Sequence, residues 1–227
     1  MSTIADNIAQ INTRIEAAKK TAGRLSGIVQ LIAVSKTRSA NEVRKAFEAG
    51  LRNFGENYLQ EALDKQAQLQ DLAITWHFIG PIQSNKAAAI AQHFDWVHSI
   101  DRLKIAQRMN DQRPGHLTPL NICLQVNISN ESTKSGVGLD ELTDLAETVA
   151  ALPHLKLRGL MAIPSPRQNE TQLRADFRKL HSTLVDLNAQ GFLLDTLSMG
   201  MSNDLECAIM EGATMVRIGT AIFGKRN

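Results

Sequence analysis

The chain has 227 residues, a formal net charge of +2 and a hydrophobic fraction of 43%, which suits one α/β barrel or two small domains. No apolar run approaches the length of a membrane span, no basic block offers a nucleic-acid surface, and aromatics at 4% leave little for base stacking. Residues 1–30 mix acids, amides and lysines with their apolar positions, unlike a signal peptide, so a cytoplasmic protein without membrane or nucleic-acid partner is expected.

The first segment places Ile4, Ile8, Ile11, Ile15 and Ala18 on one helical face ending towards Gly23, the pattern of an amphipathic helix. Gln30–Ser35 then reads as a strand, followed by the capping box Ser39-Ala-Asn-Glu42 and a helix closed by Gly50. Arg52–Gly55 and a helix from about Tyr58 to Gln70 come next, then Thr75–Gly80 and a helix near Asn85–His93. Trp96–Ser99 leads into a helix opened by Asp101, and Leu120–Ile128 leads through a polar loop into a helix near Asp140–Ala151. Leu157–Ile163 precedes a long helix carrying Leu173, Phe177, Leu180, Leu184 and Leu187, stopped by Gly191. Thr196–Ser198, a helix near Asp204–Glu211 and a last strand Thr214–Ile218 complete the series, with about one helical turn at Thr220–Phe223.

Eight strands, each followed by a helix or helical turn, predict a parallel sheet closed into a TIM-type (β/α)8 barrel, with an open doubly wound sheet as the alternative. No linker or low-complexity tract divides the chain, so residues 1–227 are expected to form a single domain, with the helix of residues 1–25 packed on the barrel. Cys123 and Cys207 share no close-spaced motif and read as small buried hydrophobes. The six histidines show no metal spacing, and Trp76 and Trp96 read as barrel packing.

Function in such barrels sits at the C-terminal strand ends, with phosphate commonly held after strands seven and eight. Both strands here open into small-residue turns: Ser198-Met-Gly-Met-Ser202 and Gly219-Thr220. Ser202 is expected at the start of the helix after strand seven, where free N–H groups favour an anion. Gly219 allows close backbone approach and Thr220 adds a hydroxyl. Ordinary turn chemistry is the competing explanation. Lys36 follows the apolar run Leu31–Val34; it is either an amine at the barrel mouth, whose pKa partial burial would lower so that it can attack an aldehyde, or an exposed loop lysine. Arg217 lies between Val216 and Ile218 and points into the barrel if they point outward. A guanidinium there needs a partner, either a ligand's ring nitrogen or carboxylate, or a glutamate such as Glu206.

The block Trp76-His-Phe-Ile-Gly-Pro-Ile-Gln-Ser-Asn-Lys86 resembles the signature of the YggS/PROSC family of pyridoxal phosphate homeostasis proteins. Ala33–Lys36, Asn53–Asn57, Gly159–Met161, Ser198–Ser202 and Arg217–Thr220 match as well, so the likeness runs from about Leu31 to Gly224. It implies a fold-type III barrel similar to that of alanine racemase, with pyridoxal 5'-phosphate held as a Schiff base on Lys36. By that resemblance Arg217 approaches the pyridine nitrogen, Ser202, Gly219 and Thr220 cradle the phosphate, and Asn57 lines the ring. Ser198, Met201 and Met161 are further lining residues, and His77 is either at the same mouth or structural.

An arginine at the ring nitrogen disfavours a second positive charge there and makes the cofactor a poorer electron sink. Racemase-like enzymes also draw a tyrosine from a second domain, whereas this sequence ends just after strand eight and has one tyrosine, Tyr58. The reading is therefore a non-catalytic protein that buffers pyridoxal phosphate or delivers it to apo-enzymes, with a monomer the plainer expectation. An amino-acid racemase or related enzyme is the alternative, and a barrel for some other phosphorylated metabolite is a third. Lys134, in the polar loop of residues 129–138, is either a contact for cofactor in transit or a solvated loop lysine.

Overall fold

Strand-length apolar runs alternate with amphipathic helices throughout, and a computed structural model shows how they assemble; it describes residues 3–129, 135–165 and 169–225. The strands are β1 (Gln30–Val34), β2 (Asn53–Glu56), β3 (Thr75–Phe78), β4 (Trp96–Ile100), β5 (Leu120–Gln125), β6 (Leu155–Met161), β7 (Thr196–Ser198) and β8 (Met215–Ile218). All pair in parallel, and β8 returns to β1 with Ile32 opposite Arg217, closing the barrel. The open-sheet alternative is thereby set aside.

The helices are α1 (Ile4–Thr21), α2 (Ala40–Glu48), α3 (Leu59–Gln68), α4 (Ala87–His93), α5 (Leu103–Gln112), α6 (Leu142–Ala150), α7 (Glu170–Ala189), α8 (Leu205–Met210) and α9 (Thr220–Phe223). The apolar residues divide into two layers because side chains alternate across a strand. Leu31, Ala33, Val216 and Ile218 join the large core between sheet and helices. Ile32, Trp96, Cys123, Met161 and Met215 fill the barrel interior.

Helix α1 opens with a reciprocal Thr3–Asp6 capping box. It buries Ile8, Ile11 and Ile15, each contributing about 1.5–3 kcal/mol. That face packs on α8 and α9, where α9 is a single turn and the barrel needs cover. Asn7 Nδ2 donates to Ile222 O at 2.8 Å, so α1 is tied to α9 by polar contact as well.

Several expected boundaries shift. The helix expected from Asn85 is divided into a 3-10 turn, Ser84–Lys86, and α4. The fifth strand stops at Gln125, beyond which Val126 makes only an isolated bridge to Val137. Asp101 does not cap α5; its carboxylate accepts from Arg102. Among the described residues no helix is long and apolar enough to cross a membrane.

Candidate functional site

A cavity of about 550 Å³ opens where β1, β2, β3, β6, β7 and β8 end. The strand alternation dictates what reaches it. Ile32, Val34 and Lys36 share one parity, so Lys36 follows Ile32 inward and lines the cavity above Val34. Asn57, Met201, Ser202, Arg217, Gly219 and Thr220 line the same space. Arg38, Ile163, Ser165 and Asp204 also line it and carried no functional signal in the sequence.

Lys36 is half-buried, and both its neighbours are anchored. Ser35 N–H donates to Gly55 O at 3.0 Å, and its hydroxyl donates to Glu56 Oε1 at 2.6 Å. Thr37 holds a left-handed φ of 64°, a conformation costing a β-branched residue about 1–2 kcal/mol. Its N–H donates to Glu61 Oε1 at 2.5 Å. Lys65 ties the two carboxylates together, at 2.7 Å from Glu56 Oε1 and 2.6 Å from Glu61 Oε1. Burial raises the Glu56 carboxyl above the usual carboxylate range, against the pull of Lys65.

Arg217 is held differently. It is 4% exposed and donates to Ser198 Oγ at 2.7 Å and Ala162 O at 3.0 Å. Glu206, the alternative internal partner, is bound instead by Arg14 of α1 at 2.6 Å. Burial pushes the Arg217 pKa down to about 10, leaving it a cation at neutral pH.

Behind Arg217 runs a buried polar chain. Ser198 Oγ is 2.8 Å from His98 Nδ1, His98 Nε2 is 2.9 Å from His77 Nδ1, and His77 Nε2 is 3.0 Å from Asn53 Oδ1. Asn53 Oδ1 only accepts, so with both histidines neutral the sense of the chain is set from that end. Arg217 donates to Ser198, Ser198 to His98, His98 to His77 and His77 to Asn53. Every ring nitrogen then has a partner with both histidines neutral. Burial favours that state, holding His77 at about 3 and His98 well below its usual value. His77 is thus part of the support and not a wall of the mouth.

Two of the expected lining residues are displaced from the cavity wall. Met161 is fully buried in the interior cluster, because β6 stops there and the wall is built by Ile163. Ser198 is also fully buried and faces Arg217. Ser202 lies in a turn three residues ahead of α8, not at its first residue. That turn bends through Gly200 at φ +93°, where a Cβ would lie 2.6 Å from Ala208 Cβ. It is braced by the Met201 N–H donating to Asp204 Oδ1 at 2.5 Å and by Arg14 donating to Ser202 O at 3.0 Å. Lys134 lies outside the described residues.

The donor set suits pyridoxal phosphate. An amine, a guanidinium with neutral partners and two hydroxyls converge on one cavity, and Asn57 Oδ1 is buried there with no hydrogen-bond partner. A buried amide oxygen left so is costly, by about 1–3 kcal/mol, and a ligand donor would satisfy it. Cys123 is buried with its thiol pushed up to about 12, and no metal-binding cluster occurs among the described residues.

Known proteins share the family and the fold of this chain. The family model described as alanine racemase, N-terminal domain, matches residues 5–227. A pyridoxal phosphate homeostasis protein of Pseudomonas aeruginosa is 62% identical over 227 residues, covering 100% of this chain and 97% of that protein. PipY of Synechococcus elongatus PCC7942, solved with PLP bound, is 36% identical with a TM-score of 0.87, over 98% of this chain and 100% of PipY. Alanine racemase of Corynebacterium glutamicum has a TM-score of 0.69 at 21% identity. It shares the fold over 98% of this chain and 62% of the racemase.

Proposed function

This chain belongs to the pyridoxal phosphate homeostasis proteins of the alanine racemase N-terminal domain family, and from that premise we propose that it binds pyridoxal 5'-phosphate covalently at Lys36. Its role is to hold the cofactor, buffering its free level or delivering it to apo-enzymes. The observation that carries this reading is the convergence of Lys36, Arg217, Ser202, Gly219 and Thr220 on one cavity. Pyridoxal phosphate supplies an aldehyde that condenses reversibly with an amine, releasing one water, and a pyridine ring able to accept electrons.

The chain's own residues set how that chemistry is used. Ser202 and Thr220 offer hydroxyls to the phosphate, and Gly219 keeps the backbone between β8 and β1 unobstructed. Asn57 offers its unpartnered Oδ1 to the ring substituents. Arg217, a cation whose hydrogen-bond acceptors are neutral, would face the ring nitrogen and oppose its protonation. A weaker electron sink follows, and reversible storage is favoured over carbanion chemistry.

A racemase needs acid–base groups on both faces of a substrate carbon. Among the described residues the cavity wall carries no tyrosine, histidine or cysteine, and Tyr58 is 55% exposed and not part of it. That supports the non-catalytic reading. The monomeric state belongs to the same proposal.

The test is an absorbance spectrum of the purified protein and of Lys36→Ala, each with added pyridoxal phosphate, before and after borohydride. A visible band that borohydride bleaches in the wild type, leaving a stable pyridoxyl label on Lys36, and that is missing from the variant is expected. Steady amino-acid turnover that vanishes in Lys36→Ala would overturn the carrier role and leave the enzyme reading.

A further inference from the structure

We propose that Glu61, Lys65 and Glu56 form a positioning clamp that presets the backbone on both sides of Lys36 for attack on the cofactor aldehyde. The inference rests on the covalent site proposed above and concerns how its lysine is aimed.

Strand β1 ends at Val34, so the sheet alone does not determine where Lys36 lies. The clamp takes over at that point. The Lys65 ammonium, almost fully buried, has three donors and three acceptors: Ser35 O at 2.6 Å, Glu56 Oε1 at 2.7 Å and Glu61 Oε1 at 2.6 Å. Glu56 then reaches the Ser35 hydroxyl and Glu61 reaches the Thr37 N–H. The peptide before Lys36 and the peptide after it are therefore held by one connected cluster.

Two features separate this from ordinary core packing. Thr37 sits at φ 64°, a conformation that the chain disfavours locally and that the Glu61 hydrogen bond retains. Glu56 Oε2 is buried with no hydrogen-bond partner, so the carboxylate is held with one oxygen committed to the clamp and the other unsatisfied. Such local cost is maintained where a reactive group must stand in one place. Holding the amine in register with the bound aldehyde replaces a search over side-chain and backbone conformations with a preset approach.

The test uses Glu61, whose side chain is 30% exposed and whose removal leaves Lys65 paired with Glu56. Apo-protein is titrated with pyridoxal phosphate, following the visible band and borohydride labelling of Lys36 in wild type, Glu61→Ala and Glu61→Gln. Glu61→Ala should raise the half-saturating concentration about tenfold, while Glu61→Gln, whose amide oxygen still accepts from Thr37, should stay within about threefold of wild type. In ligand-free wild type the Thr37 amide should be protected from hydrogen exchange, and in Glu61→Ala that protection should be lost. Labelled wild type with an equally avid Glu61→Ala, or a Glu61→Gln as weak as the alanine variant, would overturn the clamp alone. A Thr37 amide in wild type that exchanges like a free loop amide would overturn it without any variant. No label on wild-type Lys36 would overturn the covalent reading as well.

Discussion

The two basic side chains of the site are supported in opposite ways. Lys36 stands on a charged cluster, in which Lys65 is enclosed by Glu56 and Glu61. Arg217 rests on a neutral chain of one serine, two histidines and an asparagine. The roles proposed for the two account for the difference. An amine that bonds to carbon needs its backbone fixed, and charge-assisted hydrogen bonds do that well. A guanidinium that must act on a ring nitrogen needs its positive field left uncancelled, so uncharged acceptors serve it better than a carboxylate.

The sharpest way to break this contrast is Lys65→Met. It leaves two neighbouring carboxylates, one of them buried, without their cation, and should destabilise the protein by about 3–5 kcal/mol, read from urea denaturation. The second test is pH. His77 is held at about 3 by burial, with His98 also well below the ordinary 6.5. Below pH 6.5 the unfolded chain takes up protons that the native histidines refuse, so stability is complete above that value and falls as the pH drops. Each histidine contributes a slope of up to about 1.4 kcal/mol per pH unit. A urea series from about pH 4 to 8 measures it, and an unchanged slope in a His77→Gln, His98→Gln double variant would exonerate both. Glu56 acts in the other sense. Its raised carboxyl keeps a proton the unfolded chain has released, so its contribution is lost as pH rises through that raised value.

Arg217→Met should cost less than Lys65→Met, about 1–3 kcal/mol, because it strands the neutral acceptors Ser198 Oγ and Ala162 O and no buried ion-pair partner. Pyridoxal phosphate titration of the same variant should show weakened binding, which separates the ligand role from the fold. The smallest effect is expected from Arg14→Ala. It removes a half-exposed ion pair with Glu206 and a bond to Ser202 O, worth about 1 kcal/mol or less. A modest loss of cofactor affinity with a nearly unchanged melting curve would place α1 in support of the phosphate turn.

Much of this was legible in the chain because a barrel strand obeys a two-residue period. Val216 and Ile218 face the helices, so Arg217 had to face inward, and the same rule carried Lys36 to the cavity. The rule also covers His77 and His98, inward on adjacent strands, although their spacing along the sequence resembles no ligand motif. Lys65 was hidden for another reason. It sits in α3 among Gln60, Asp64, Gln66 and Gln68, where a lysine reads as solvated surface, and only the approach of β2 buries it. Met161 and Ser202 were placed by motif, and motifs do not report where a strand stops or how far a turn runs before its helix.

The closure of β8 onto β1 has a consequence for biosynthesis. Lys36 leaves the ribosome long before Arg217, Gly219 and Thr220 exist, and Asn7 of the first helix waits for Ile222. A nascent chain can expose the amine but has no cradle to keep what it captures. On the proposed covalent site, retained cofactor would mark a chain whose two ends have met, and a visible imine band would report complete synthesis and folding.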